Sequence, residues 1–239
     1  MNPSDVTLLL TRPETGGRRF AAEAQAQMGA FGAVVLAPLQ KIVARLPFPT
    51  LPDEADLAFT SENAVRVAAS AGVTGRKAFC VGSRTADAAR AEGFDAESAG
   101  GDAVALANLI AARASGRRVV HLCGAHQSGN LAERLTAQGL VARRVTIYDQ
   151  ERLPLSNEAQ SALNGPRPVL APLFSPRSAR LLADAIREAD APAPRLVAHL
   201  SAAVAGAWPL PARAVIATQP DAPALIAAME RVLSDLPSP

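Results

Sequence analysis

Short apolar runs alternate with longer stretches of helical periodicity along most of this 239-residue chain. The runs at 6–10, 33–36, 56–59, 78–81, 118–122, 169–174, 196–200 and 214–217 read as strands, because they are short, apolar and bounded by turn residues. Helices are predicted over 18–28, 61–71, 83–92, 102–114, 129–138, 176–189, 202–208 and 222–236. Gly29, Gly93 and Gly139 stand where three of them end, and Asp102 stands as an N-cap. Residues 38–43 and 143–148 are extended, the latter with alternating character, and Pro47, Pro49 and Pro52 break the chain after the former. Strands alternating with helices specify parallel α/β sheets.

The layout is written twice, about 115 residues apart. Leu57-Ala58-Phe59-Thr60-Ser61 returns as Leu173-Phe174-Ser175, and Phe79-Cys80-Val81-Gly82-Ser83 as Val197-Ala198-His199-Leu200-Ser201. Gly101-Asp102-Ala103 returns as Pro220-Asp221-Ala222, and Leu8-Leu9-Leu10-Thr11-Arg12 resembles Val120-His121-Leu122-Cys123-Gly124. Each match is an apolar run, a small or hydroxyl residue, then a helix. Such turns bind anions through free backbone N–H groups, and ligands lie beyond the carboxyl ends of the strands. The chain therefore reads as two similar lobes. A cut near residue 115 gives consecutive lobes; a cut at the extended stretches 38–43 and 144–150 gives an inserted one.

With 24 basic and 22 acidic residues the net charge is +2, which argues against a duplex-DNA binder. Arginine dominates the basic set, Lys41 and Lys77 being the lysines. Cys80 and Cys123 sit inside apolar runs and read as buried thiols of a reducing compartment. The amino terminus lacks the positive segment of a signal peptide, and no apolar run reaches membrane-spanning length. A soluble cytoplasmic protein is expected.

No dinucleotide fingerprint or P-loop is present. His121-x-Cys123-x-x-His126 lacks a fourth ligand, so buried strand residues plus a loop histidine outweigh a metal site. Ser61 and Ser175 lie in no nucleophile elbow. Ser61, Ser83, Thr85, Ser175 and Ser201 are strand-end hydroxyls, each alone best read as an N-cap, yet recurring in matching places. Arg12 follows a strand and faces the ligand side of such a sheet. Tyr148, the single tyrosine, ends an extended run; with an ordinary pKa of about 10 it is a hydrogen-bond donor and weak acid.

Read together, Leu9-Leu10-Thr11-Arg12-Pro13, Phe59-Thr60-Ser61-Glu62-Asn63-Ala64-Val65, Val81-Gly82-Ser83-Arg84-Thr85-Ala86, the stretch from Gly124 to Ile147-Tyr148, Phe174-Ser175-Pro176 and Ala217-Thr218-Gln219-Pro220 resemble the uroporphyrinogen-III synthase family over nearly the whole chain. Two departures are Ser201-Ala202-Ala203, where many members carry adjacent hydroxyls, and Cys123, where an arginine commonly precedes the glycine. The resemblance implies an α/β fold of two similar lobes, each a parallel sheet flanked by helices, joined by a two-stranded connector with the substrate cleft between. It implies a discontinuous first lobe of residues 1–38 and 151–239, an inserted lobe of 44–144, and connector strands at 38–44 and 144–151.

It further implies cyclisation of hydroxymethylbilane, a linear tetrapyrrole with eight carboxylates, by loss of water and inversion of the last pyrrole, without cofactor or metal. By carry-over Tyr148 is the catalytic proton donor, and Arg12, Thr60, Ser61, Ser83, Thr85, Gly124, Ser175 and Ser201 bind substrate. The expected partners are this small molecule and, transiently, hydroxymethylbilane synthase; no nucleic acid or membrane is expected, and the protein is expected to be a monomer. The rivals are a non-catalytic bilobed sensor of the same fold and a sugar-phosphate isomerase, whose catalytic Glu or His beside a phosphate loop is not found.

Overall fold

The computed structural model describes residues 1–114, 116, 118–126 and 129–234. In chain order the elements are β1 (Thr7–Leu10), α1 (Glu14–Met28), β2 (Ala33–Leu36), β3 (Gln40–Ala44), β4 (Asp56–Phe59), α2 (Glu62–Ser70), β5 (Lys77–Cys80), α3 (Ser83–Ala91), β6 (Asp95–Ser98) and α4 (Ala103–Arg113). They continue as β7 (Val119–Gly124), α5 (Leu131–Ala137), β8 (Ala142–Arg152), α6 (Asn157–Asn164), β9 (Val169–Leu173), α7 (Pro176–Glu188), β10 (Leu196–His199), α8 (Ala202–Ala205), β11 (Arg213–Ile216) and α9 (Ala222–Ser234). The predicted end of the last helix, at 236, lies outside the described residues.

Two compact units emerge: Met1–Lys41 with Arg152–Pro239, and Ile42–Glu151. The first carries the sheet β11-β10-β9-β1-β2, parallel throughout. The second carries β3-β8-β7-β4-β5-β6. Its five strands from β8 to β6 are parallel. Strand β3 runs antiparallel to β8, as the bonds Arg45 N to Ile147 O and Leu153 N to Leu39 O, both 2.9 Å, show. The second sheet is therefore mixed rather than purely parallel. Numbered within each unit from β9 and from β4, the parallel strands have one order, 3-2-1-4-5. The first unit is the second in circular permutation, which is the physical content of the repeat.

Strands β1, β4, β7, β9 and β10 are buried along their whole length, so they read as continuous apolar runs, as parallel strands covered on both faces must. In the first unit one face packs Phe20 of α1 and Leu225 and Met229 of α9. The other face packs Leu163 of α6 and Leu182 and Ile186 of α7. In the second, α2 and α3 cover Leu57, Phe59 and Leu122, while α4 and α5 cover Ala58, Phe79 and Val119.

Besides α8, which stops at Ala205 rather than 208, and β8, which runs on to Arg152, three elements differ from expectation. Helix α1 begins at Glu14, not at residue 18, so Gly16 and Gly17 are its first turn rather than a loop. A Cβ on Gly16 would stand 3.0 Å from Arg12 Nε; the glycine gives that guanidinium its room. Strand β6, Asp-Ala-Glu-Ser, is an edge strand with no apolar run to betray it. Helix α6 buries only Ala159 and Leu163 and is started by Ser156, whose Oγ accepts from Ala159 N at 3.2 Å. Among the described residues no helix is long and apolar enough to cross a membrane.

Phe59 is fully buried and meets Phe94 edge-on, with ring centroids 5.3 Å apart. Phe59→Ala is expected to destabilise the second unit by about 3–5 kcal/mol through the cavity it leaves. Urea denaturation measures this, and a loss below about 1 kcal/mol would contradict the packing described.

Candidate active site

In the second unit the chains leaving β4 and β7 depart to opposite faces: α2 packs beside Phe59 and Leu122, and α5 beside Ala58 and Val119. The ladder between the two strands ends at Phe59 and Leu122. Beyond it the backbones part, and doubly wound sheets open their ligand crevice at such a switch point. Thr60 and Ser61 follow β4 there, Gly124 ends β7, and β8 brings Tyr148 alongside.

Tyr148 owes its direction to a bulge. Cys123 pairs with Thr146, but the next pair is Gly124 with Tyr148, leaving Ile147 as an extra residue in β8. Without that residue Ile147 would oppose Gly124, and Tyr148 would face α4 and α5. With it, Ile147 and Tyr148 both enter the core under α2 and α3. The alternation read across 143–148 thus breaks at its last step. The ring lies over Gly124, where a Cβ would stand 2.5 Å from Cε2 and 2.6 Å from Cζ. Tyr148 is 3% exposed, and its hydroxyl is near enough to the side chain of Ser61 to be influenced by it. Burial raises the phenol's pKa; the Ser61 hydroxyl opposes that rise. Tyr148 therefore holds its proton at neutral pH.

Ser61 is the N-cap of α2, its Oγ accepting from Asn63 N at 3.1 Å. Thr60 Oγ1 lies 3.1 Å from His121 Nε2. His121 is 2% exposed; burial, helped by Arg144, pushes its pKa down to about 4, so the imidazole is neutral at pH 7. Sequence reasoning left His121 as a buried strand residue and missed this link. The signal was its alternation with Cys123, which puts both side chains on the face toward which Thr60 points. Among the described residues no cluster of three or more His, Cys, Asp or Glu side chains could hold a metal ion.

The loop after β7 is fastened to β8. Arg144 donates to Gly124 O at 3.3 Å, to Ala125 O at 3.1 Å and to Cys123 Sγ at 3.2 Å. Gln150 accepts from His126 N and donates to His126 O, both at 3.0 Å. Cys80 is buried elsewhere in this unit, and burial pushes its thiol up to about 12, which makes it inert at neutral pH.

The other expected residues are spread more widely. Ser83 stands exposed in the first turn of α3, and Thr85 is 6% exposed, its side chain turned inward. In the first unit Arg12 follows β1 and stacks on Phe174, 4.4 Å from the ring centroid. Ser175 caps α7 in a reciprocal arrangement, its Oγ accepting from Ser178 N at 3.0 Å. Ser201 begins α8 without a side-chain capping bond. The structure thus seats Tyr148 on Gly124 and near Ser61, holds Thr60 by His121, and sets Arg12 beside the strand that leads to Ser175. A cavity of about 370 Å³ lined by Leu51, Pro52, Arg118, Val141 and Arg143 lies at the amino ends of β7 and β8, remote from these turns.

Two doubly wound units of one strand order, the first permuted, with hydroxyl-bearing turns at their strand ends, define an internally duplicated α/β class. The sequence profile of the family described as Uroporphyrinogen-III synthase HemD matches residues 21–227, and the chain belongs to the uroporphyrinogen-III synthase family. Its enzymes are cyclising lyases of tetrapyrrole synthesis. The crystal structure of uroporphyrinogen-III synthetase from Helicobacter pylori 26695 is similar, with a TM-score of 0.63 and 15% identity over 96% of this chain and 99% of that one. A mutant uroporphyrinogen III synthase from Thermus thermophilus gives 0.49 and 16% over 97% and 100%. No curated protein matches the chain.

Gly124→Ala is expected to drive the Tyr148 ring off its seat and away from Ser61, costing about 1–3 kcal/mol as overpacking does; urea unfolding and a crystal structure of the variant check this. His121 also fixes a pH dependence. Its folded-state pKa of about 4 lies below the ordinary 6.5, so the unfolded chain binds the proton more tightly. Stability is then full above about 6.5, falls as pH drops toward 4, and levels off below, by roughly 3 kcal/mol in all. Thermal unfolding between pH 4 and 7 should show a decline that is smaller in His121→Gln by about that amount.

Proposed function

We propose that this chain closes hydroxymethylbilane to uroporphyrinogen III through the switch-point site of its second unit, with Tyr148 as the proton donor. The observation that supports this reading is a single phenol, kept protonated by burial, seated over Gly124 and close to Ser61 where β4 and β7 part. The Ser61 hydroxyl accepts from Asn63 N through one lone pair, which leaves its own proton free to turn to the phenolic oxygen nearby. The phenolic proton is thereby left to point outward, toward the departing hydroxyl of the substrate.

The terminal carbon–oxygen bond breaks as that hydroxyl takes the proton and leaves as water. A delocalised azafulvenium and a phenolate remain, and the Ser61 hydroxyl stabilises the latter. The last pyrrole attacks that cation through the α carbon already bonded to its methylene bridge. The old bridge bond then breaks, and the freed methylene bonds to the ring's other α carbon, which inverts the ring. The proton lost from that carbon on rearomatisation restores the phenol. Net, one water leaves, so no redox step is needed. The substrate supplies the reactive cation, and the protein's contribution is mainly orientation. Low water access around the phenol keeps the cation from being recaptured.

The hydroxyls and N–H groups of the Thr60-Ser61 turn, the backbone at Gly124 and the start of α3 at Ser83 receive acetate and propionate groups. Arg12, Ser175 and Ser201 in the first unit offer the same chemistry, Arg12 as the charged member. We read the enzyme as a cytoplasmic monomer without cofactor, meeting hydroxymethylbilane synthase transiently.

The test couples the protein to hydroxymethylbilane production and separates the ring isomers. Spontaneous closure gives the type I isomer, so type III product is the expected result, and an isomer ratio equal to the uncatalysed one overturns the reading. Tyr148→Phe should lower kcat for type III product by ~10²-fold or more, the usual range for one general acid.

A further inference from the structure

We infer that His121 is a positioning residue for this reaction: from the opposite face of the sheet it fixes the Thr60-Ser61 turn, and through Ser61 it aims the phenol of Tyr148. The inference rests on the reading of Tyr148 above and extends it to a residue that touches no substrate.

The need for such a device follows from the fold. Backbone pairing between β4 and β7 stops at Phe59 and Leu122. On its other side the turn keeps the bond from Val81 N to Phe59 O, 3.0 Å. Toward β7, where the ligand crevice opens, no ladder bond among the described residues holds it. The link from His121 Nε2 to Thr60 Oγ1, 3.1 Å, spans that break. His121 is itself rigid: it pairs in β7 opposite Ala58 and Arg144, and its side chain is buried. An imidazole fixed on a central strand thus reaches across to the first residue beyond the neighbouring strand.

The polar bookkeeping of the ring assigns its proton. Nδ1 is buried and finds no hydrogen-bond partner. An unpaired buried N–H is rarer and costlier than an under-used acceptor. The proton therefore resides on Nε2 and is donated to Thr60 Oγ1, leaving the threonine's own proton directed outward as a donor for an anion. The same geometry holds Ser61, one residue on, where it caps α2 and meets Tyr148. The groups packed about His121 are Thr60, Arg144 and, more remotely, Glu133.

Tyr148 is the single tyrosine of the chain, so protein labelled with carbon-13 at tyrosine Cζ gives one resonance, read at neutral pH without substrate. Ser61→Ala defines its position when the serine hydroxyl is lost. His121→Leu and Thr60→Val should each move the resonance toward that position, and His121→Gln, which keeps a donor near Nε2, should leave it near wild type. The His121→Leu, Thr60→Val double variant should shift no further than either single variant. In kinetics His121→Leu should lower kcat for type III closure about tenfold, in keeping with the cost of small misplacements. Should His121→Leu not fold, Thr60→Val, which removes only a hydroxyl, carries the test. A resonance that stays at its wild-type position in Thr60→Val and in any folded His121→Leu protein overturns the inference, whatever the rates do. Full activity of Tyr148→Phe would instead overturn the assignment of the proton donor while leaving the spectroscopic coupling intact.

Discussion

Strand β8 carries one residue more than β7 between the pairs Cys123–Thr146 and Gly124–Tyr148, and the two-residue period of a strand turns that single residue into a change of face. Everything around the phenol depends on it. Tyr148 enters the side of the sheet that α2 covers, where the cap of that helix, Ser61, is within reach of its hydroxyl. The strand beneath must then lack a side chain, and Gly124 supplies that absence. Arg144 and Gln150, on either side of the bulge along β8, fasten the loop that continues from Gly124. A bulge, a glycine and a helix cap are separate local features; together they set the direction of one O–H bond.

The permuted duplication shows what each unit has done with the same place in the fold. The end of β1 corresponds to the end of β7, and the end of β9 to that of β4. In the second unit the pair of strand ends holds Gly124 under a tyrosine and a hydroxyl turn. In the first it holds Arg12 stacked on Phe174, with Gly16 leaving space for the guanidinium. One switch point carries a buried phenol and the other a guanidinium. Ser61 and Ser175 cap their helices in both, so the caps belong to the scaffold, and only Ser61 has been given a second partner in a tyrosine.

Burial acts on the two titratable groups of the site in opposite senses, and both outcomes are neutral side chains. The phenol is held in its acid form, and the imidazole is held without its second proton. A neutral His121 can bond Thr60 without placing a cation under the sheet. His121 and Cys123 share a face, and Arg144 donates to the sulfur; among the described residues no metal ligand set is assembled.

The amino-acid sequence by itself determined the alternation of strands and helices, the internal repeat and the family. Parallel strands buried on both faces are written as short apolar runs, and helices declare themselves by caps such as Ser61, Asp102 and Ser175. It also singled out Tyr148 and Gly124, though without their contact. What the tertiary structure alone decided depends on partners distant in the chain. The first turn of α1 sets Gly17 against Leu36 of β2, and the polar edge strand β6 forms by its pairing to β5. The face of Tyr148 is set by a register shift, which no pattern within β8 records. The bond between Thr60 and His121 joins residues 61 positions apart, and neither side chain alone signals the other. Local chemistry is legible along the chain because it acts between near neighbours; the aim of a side chain across a sheet is not, because it is settled by which strand lies beside it and in what register.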